Sequence, residues 1–128
     1  MIYLSLTDKS NKSSQMTKHF GEYIKQLRNE SGFTLTQLGA KLDLDSANLS
    51  KIENGKRDFD EKRLLQLASV FKLDINKLKT EFFSDFIAKK LYQNGCSIDA
   101  LFVAEEKVKY LQQINVKQEQ LNFTKNND

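Results

Sequence analysis

Apolar residues recur along this chain at intervals of three and four, in short runs that stop at glycine or at polar residues. Phe20, Ile24 and Leu27 form the first run, which ends before Gly32. Positions spaced in this way lie on one face of an α-helix, so each run predicts an amphipathic helix. Proline is absent, and no segment in the body of the chain alternates long enough to predict a strand. We therefore predict an all-α fold.

Six helices follow from these runs and from the polar residues that precede them. Asp, Ser and Thr are favoured at the N-cap, where their side chains accept a hydrogen bond from a backbone N–H. The predicted N-caps of the second to sixth helices are Thr34, Asp45, Asp60, Asp74 and Ser97. The third and fifth helices are expected to stop at Asn54-Gly55 and Asn94-Gly95. The predicted apolar faces are Phe20, Ile24, Leu27; Leu35, Leu38, Leu42; Leu49, Ile52; Leu64, Leu67, Ala68, Phe71; Ile75, Leu78, Phe82, Phe86, Tyr92; and Leu101, Ala104, Val108, Leu111.

Composition excludes several classes of protein. With one cysteine and one histidine, the 128 residues offer no internal disulfide, no multi-cysteine zinc site and no Cys–His catalytic arrangement. We find no pairing of nucleophile and base and no glycine-rich phosphate loop, so we predict no enzyme, no metal, no cofactor and no small-molecule ligand. No segment is long and apolar enough for a membrane span, and the opening lacks the basic lead-in of a secretory signal. We expect a soluble cytoplasmic protein.

The segment from Phe33 to Arg57 carries most of the functional information. Two short predicted helices are joined there by Asp43-Leu44-Asp45, and Gly39 supplies a small residue where their axes cross. Leu44, Leu49 and Ile52 supply apolar residues for the turn and for the inner face of the second of these helices. Its outer face is small and polar with one cation, as suits a helix in the DNA major groove, and consists of Ser46, Ala47, Asn48, Ser50 and Lys51.

Residues 19–79 resemble the Xre/Cro-type helix-turn-helix regulators, which include the lambdoid phage repressors. The resemblance rests on FGEYIKQLRNESGFT, on LGAKLDLDSANLSKIENGKR and on LLQLASVFKLDINKL. It implies a five-helix, lambda-repressor-like domain that binds double-stranded DNA, followed here by a helical extension. It also implies a transcription regulator at the nucleoid.

The resemblance also implies roles for individual residues. Base edges would be contacted from the outer face described above, with Asn48 suited to adenine, Lys51 to guanine and Ala47 to a thymine methyl group. A structural ion pair would join Arg28 to Glu53. The implied phosphate contacts are Thr34, Gln37, Asn54, Lys56 and Arg57.

Three positions depart from the family pattern. Leu35 stands where many members have a phosphate-binding glutamine, so that contact is expected to be missing. Asp43 replaces the usual turn glycine, and we expect modest strain because aspartate tolerates a left-handed backbone. Phe59 stands where proline is common, which leaves the path into the fourth helix open.

Four segments follow from these patterns: a flexible arm over residues 1–16, the DNA-binding domain over 17–79, a helical dimerisation segment over 80–114 and a flexible tail over 115–128. Translation starting at Met16 instead of Met1 is an alternative. Residues 17–79 carry 12 basic and 9 acidic side chains, a net charge of +3, whereas residues 80–128 have a net charge of −1. This weak excess does not by itself establish DNA binding.

The second half of the chain carries apolar stripes that must be buried. We predict that a second copy buries them, although folding back on the same chain is the alternative. The predicted dimer residues are Phe82, Phe86, Leu101, Ala104, Val108 and Leu111. The predicted function is a homodimeric repressor or autoregulator that binds a pseudo-palindromic operator, similar in layout to controllers of restriction–modification systems. The alternative is an antitoxin-like module whose C-terminal helices bind a foreign protein.

Overall fold

The computed structural model describes the backbone of residues 18–127 and the side chains of residues 18–122. The predicted arm over residues 1–16 lies outside the described residues. The described part consists of helices and contains no strand. In chain order the elements are α1 (Phe20–Ser31), α2 (Leu35–Leu42), α3 (Ser46–Glu53), a 3-10 turn (Glu61–Arg63), α4 (Leu64–Phe71), α5 (Ile75–Gln93) and α6 (Asp99–Asn127). The all-α prediction is confirmed.

Polar caps set the helix starts as the sequence predicts, with one difference. The Thr34 hydroxyl accepts a hydrogen bond from the Gln37 N–H at 3.1 Å, and the Asp45 carboxylate accepts one from the Asn48 N–H at 2.7 Å. The Asp60 carboxylate caps the 3-10 turn through the Lys62 N–H and not α4 itself, which begins at Leu64. The chain thus enters α4 through one extra tight turn.

Among the described residues, 18–86 form one compact unit with its own hydrophobic core. Every helix from α1 to α5 contributes to this core, and Phe71 and Ile75 pack half-buried at its margin. Leu27, predicted on the apolar face of α1, is half-buried. Burying this much apolar surface is the main favourable term for folding. The core consists of Phe20, Ile24, Leu38, Leu42, Leu49, Ile52, Phe59, Leu64, Leu67, Ala68 and Leu78.

An aromatic cluster extends this core beyond the predicted one. The Phe20 ring contacts Phe59, with ring centroids 5.6 Å apart, and meets Phe82 edge-on at 5.2 Å. Phe59 is buried, so this departure from the family pattern fills the core instead of setting only the chain path. Phe82 is half-buried against its own chain, and we therefore assign it to the domain core instead of the predicted dimer surface.

Residues from Ile87 onward form a second unit, made of the end of α5, a turn and α6. Gly95 has φ 65°, and the Cys96 N–H donates to the Leu91 carbonyl, which ends α5 as predicted. Every side chain from Leu101 to Asn122 is exposed. The tail was predicted to begin at residue 115, but α6 continues to Asn127, because residues 115–127 contain no glycine or proline that would end a helix.

None of the helices within residues 18–127 combines the length with the apolar content that crossing a bilayer requires.

Candidate nucleic-acid interface

The α2–turn–α3 pair is closely packed because Gly39 has no side chain. A Cβ atom at Gly39 would overlap the carbonyl oxygen of Leu44, while the Leu44 N–H donates to the Gly39 carbonyl at 2.8 Å. Asp43 takes the left-handed conformation expected of it, with φ 56° and ψ 42°. The turn therefore combines a close backbone contact with one residue of modest strain.

Arg63 in the 3-10 turn and Gln66 in α4 hold the α2–α3 turn through hydrogen bonds. Sequence analysis did not identify either residue. The Arg63 guanidinium donates to the Leu42 carbonyl at 2.9 Å and to the Asp43 carbonyl at 3.3 Å. The Gln66 amide donates to the Asp43 carboxylate at 3.2 Å. The carbonyls at the end of α2 are thus satisfied from the 3-10 turn that precedes α4, which fixes the angle between α2 and α3. No local motif marks these residues, since these partners are 20 to 23 positions away.

Arg28 and Glu53 form a bidentate ion pair between α1 and α3. Arg28 Nε lies 2.7 Å from Glu53 Oε2, and Nη2 lies 3.0 Å from Oε1. Arg28 Nη1 also donates to the Phe33 carbonyl at 3.0 Å, and Glu53 is buried. The hydrogen bond to Glu53 raises the pKa of the Arg28 guanidinium, and the nearby negative charge acts in the same direction against desolvation. The pair fixes the end of α3 against α1.

The outer face of α3 is open over most of its length. Ser46, Ala47 and Lys51 are exposed, while Asn48 and Ser50 are half-buried at its two margins. Leu49, Ile52 and Glu53 point the other way and are buried. The face is about two turns long, small in side-chain volume and cationic at its far end.

The segment after α3 is ordered by a C-terminal backbone motif. Gly55 has φ 76°, its N–H donates to the Ile52 carbonyl, and the Lys56 N–H donates to the Lys51 carbonyl at 2.8 Å. These two bonds define a Schellman motif, in which the left-handed residue favours glycine. The motif turns the chain so that exposed Lys56 and Arg57 follow the helix directly. Exposed Asn54 approaches the Ser50 hydroxyl at 3.5 Å.

Arg57 also contacts the outer face of α3, which we call the recognition face. Its Nη1 donates to Asn48 Oδ1 at 2.9 Å, and Asn48 Nδ2 donates to Asp45 Oδ2 at 3.2 Å. The residue predicted to bind phosphate is therefore bonded, in the free protein, to a residue predicted to contact a base.

The start of α2 is closed by a capping box. The Thr34 N–H donates to Gln37 Oε1 at 2.9 Å, and the Gln37 N–H donates back to the Thr34 hydroxyl. Both side chains are exposed, and Leu35 is half-buried against the core instead of facing outward. The first two N–H groups of α2, at Leu35 and Thr36, have no partner within the helix.

His19 and Gly21 are further residues that sequence analysis missed. The His19 Nδ1 accepts the Glu22 N–H at 3.3 Å and caps α1, and its ring lies over Gly55. A side chain at Gly21 would overlap the Ile52 carbonyl. Both residues bring the start of α1 against the end of α3. Among residues 18–122, no group of three or more metal-binding side chains is placed to hold an ion.

A comparison with family models matches residues 24–78 to a helix-turn-helix family. Comparisons with curated proteins and with solved structures find no match. The matched residues span the core helices, the Gly39 crossing and the whole of α3. Together with the all-helical architecture, the match assigns residues 24–78 a lambda-repressor-like helix-turn-helix fold of the Xre type and supports a general role in DNA binding and transcription regulation.

Proposed function

We propose that the protein is a repressor that binds a pseudo-palindromic operator as a homodimer and controls its own gene, in the cytoplasm at the nucleoid. The observation that carries this proposal is the open, small, polar outer face of α3, followed directly by Lys56 and Arg57. Such a face can enter the major groove, where base edges differ, while cations behind it bind phosphates. Binding needs no cofactor and catalyses no reaction.

Within this proposal the α3 residues divide by chemistry. The Asn48 amide can contact adenine N6 and N7, the Lys51 ammonium can donate to guanine O6 and N7, and Ala47 can touch a thymine methyl group. Ser46 and Ser50 are short donors at the margin of the same face. Lys51→Ala and Asn48→Ala should each cost about 1–3 kcal/mol on the preferred site. An equal loss on every sequence would contradict these assignments.

The phosphate contacts in this proposal lie at two helix ends. The unpaired N–H groups at the start of α2 favour an anion, and the exposed Gln37 amide keeps its Nε2 donors beside them. Lys56 and Arg57 follow α3, with Asn54 between them and the helix. We expect no such contact from Leu35, whose side chain is apolar and turned to the core.

The homodimer is proposed for α6. This helix has 29 residues, a length of about 43 Å, and apolar residues at the 3-4-3 spacing of a coiled-coil seam. These apolar residues of α6 form a first stripe, on which Val108 is 51% and Leu111 60% exposed. Phe86 in α5 is 54% exposed. A second copy would bury the stripe and double a DNA-binding charge of only +3. The first stripe consists of Leu101, Ala104, Val108 and Leu111.

A second apolar stripe runs along another side of α6. Val103, Tyr110, Ile114 and Leu121 recur at intervals of seven and four, about a third of a turn away from the first stripe. All four side chains are exposed. This stripe is the observation that favours the antitoxin-like alternative, in which α6 binds a foreign protein as well as, or instead of, a second copy.

Light scattering on matched double variants tests the oligomeric proposal. Leu101→Asp with Val108→Asp should give monomers, because two carboxylates on the first stripe oppose their copies in a dimer. Val103→Asp with Tyr110→Asp places the same charges on the second stripe and should leave the dimer intact. A wild-type protein that stays monomeric at all concentrations would contradict the homodimer and favour a foreign partner.

A reporter gene behind the protein's own upstream DNA tests repression. Wild-type protein supplied in trans should lower expression, and the Leu101→Asp, Val108→Asp variant should lower it much less. Unchanged or increased expression would contradict the repressor assignment.

A further inference from the structure

The Asn48 side chain is held between two charged residues on the recognition face. Asp45 Oδ2 accepts from Asn48 Nδ2 at 3.2 Å, and Asp45 Oδ1 accepts from the Asn48 backbone N–H at 2.7 Å. On the other side, Arg57 Nη1 donates to Asn48 Oδ1 at 2.9 Å. We call Asp45, Asn48 and Arg57 the amide clamp.

The chemistry of the clamp gives the Asn48 amide one orientation. A primary amide has an oxygen that accepts and a nitrogen that donates, and a half-turn of its last torsion exchanges the two. An ionised carboxylate only accepts and a guanidinium only donates. The exchanged orientation would set the amide oxygen against Asp45 and its NH₂ group against Arg57, so both hydrogen bonds would be lost.

The clamp leaves the Asn48 amide half-used. One N–H and one oxygen lone pair are engaged, so one N–H and one lone pair remain. A donor beside an acceptor is the pattern that meets adenine N7 and N6 in the major groove. Arg57 keeps further N–H groups that can bind a phosphate at the same time.

We propose that Arg57 and Asp45 are positioning residues for sequence specificity: they orient the Asn48 amide and thereby determine which base pair it prefers. The proposal rests on the proposed function, in which α3 faces base edges. It assigns Arg57 a role beyond a phosphate contact and Asp45 a role beyond the N-cap of α3.

Two conservative variants separate positioning from charge and from capping. Arg57→Lys keeps a cation for phosphate but loses the planar, directional donors. Asp45→Asn keeps a strong N-cap, so α3 remains capped, but its amide no longer selects one Asn48 orientation. Lys56→Ala is the matched control, because Lys56 is an adjacent exposed cation whose side chain does not contact Asn48.

The first measurement uses the free protein and needs no DNA. In NMR spectra, the Asn48 NH₂ proton that bonds to Asp45 should lie downfield of its usual position in solvent-exposed asparagine side chains, and Asp45→Asn should move it back toward that position. Arg57→Lys should change the same signals, whereas Lys56→Ala should not. Asn48 NH₂ signals at the positions typical of solvent-exposed asparagine side chains, and unchanged in Asp45→Asn, would overturn the proposal.

The second measurement uses a duplex selected by the wild-type protein, with all four base pairs tested at the position whose preference Asn48→Ala abolishes. We expect Arg57→Lys and Asp45→Asn to lower discrimination there by about tenfold, within the range a bidentate base contact supplies. Discrimination at the position assigned by Lys51→Ala should stay unchanged. Lys56→Ala should weaken all duplexes equally.

Two outcomes of the DNA experiment are distinguishable. A uniform loss of affinity in Arg57→Lys, with discrimination intact, would overturn the clamp and leave Arg57 as a phosphate contact. A wild-type protein that selects no sequence would contradict the proposed function, and with it the clamp's role, even if the NMR signals show the clamp present.

Discussion

The two units of this chain differ in how far their apolar side chains are buried. In residues 20–86, most of the large apolar residues pack into one core, and six of them are completely buried. From Ile87 onward, side chains of the same types are exposed along α6. A helix that exposes apolar residues on more than one side is not stabilised by its own chain alone. The first unit therefore buries its own apolar residues, whereas those of the second stay exposed, and it is to these that the proposed function assigns a partner.

The net charge changes sign within α5, before the boundary between the two units. The net charge of +3 lies in residues 17–79, and residues 80–128 have a net charge of −1. Residues 87–128 carry six basic and five acidic side chains, so the second unit has little net charge to keep two copies apart.

The largest expected contrast lies in the ion pairs of the two units. Arg28→Met removes the partner of buried Glu53 and should lower the free energy of unfolding by about 3–5 kcal/mol. Lys109 and Glu105 on α6 are 58% and 60% exposed, and Lys109→Met should cost only about 0.3–0.5 kcal/mol. Urea unfolding of both variants gives the comparison.

The double variant Arg28→Met, Glu53→Leu sharpens this test. It replaces both charges with apolar groups and should recover most of the loss. Equal costs for Arg28→Met and Lys109→Met would remove the distinction between a buried and an exposed pair.

Apolar truncations form the second contrast. Leu49→Ala deletes a completely buried side chain and should cost about 2–5 kcal/mol, because a cavity is left behind. Leu65→Ala, at a side chain that is 70% exposed in the same unit, is the control and should change stability little. Thermal unfolding by circular dichroism measures both.

Leu111→Ala extends the truncation series to α6. Its effect should depend on protein concentration, since the buried area would come from a second copy. A concentration-independent loss as large as that of Leu49→Ala would show that α6 is buried by its own chain.

The last expected effect is a modest gain in stability within the first unit. Lys72 has φ 54° at the end of α4, where a Schellman motif favours glycine. Lys72→Gly should raise the free energy of unfolding by about 0.5–1 kcal/mol, because it relieves the left-handed strain. Unchanged or lower stability would contradict that strain assignment.

Local signals in the sequence predicted most of the fold. The caps at Thr34 and Asp45, the crossing at Gly39 and the stop at Gly55 depend on residues within a few positions of each other, so the pattern reveals them. The extent of α6 was underestimated, because a polar composition without breakers permits a helix as readily as a tail.

Long-range contacts could not be predicted in the same way. Arg63 and Gln66 bond to the α2–α3 turn, and Phe59 packs against Phe20. No periodic pattern in the sequence indicates either contact. Phe82 was predicted at a dimer surface for the same reason: an apolar stripe indicates that a face is buried but not which surface covers it. The Arg57–Asn48 bond joins two predicted contacts whose interaction with each other only the structure reveals.

The most direct test of the account is selection of bound duplexes from random-sequence DNA, with purified wild-type protein and the Leu101→Asp, Val108→Asp variant at moderate salt. The account predicts a pseudo-palindromic motif for the wild type, with half-sites about 34 Å apart, one helical turn of DNA. The variant should enrich at most a single half-site. Enrichment of no motif, with binding that disappears as salt rises, would contradict sequence-specific recognition by α3 and leave only non-specific phosphate contact.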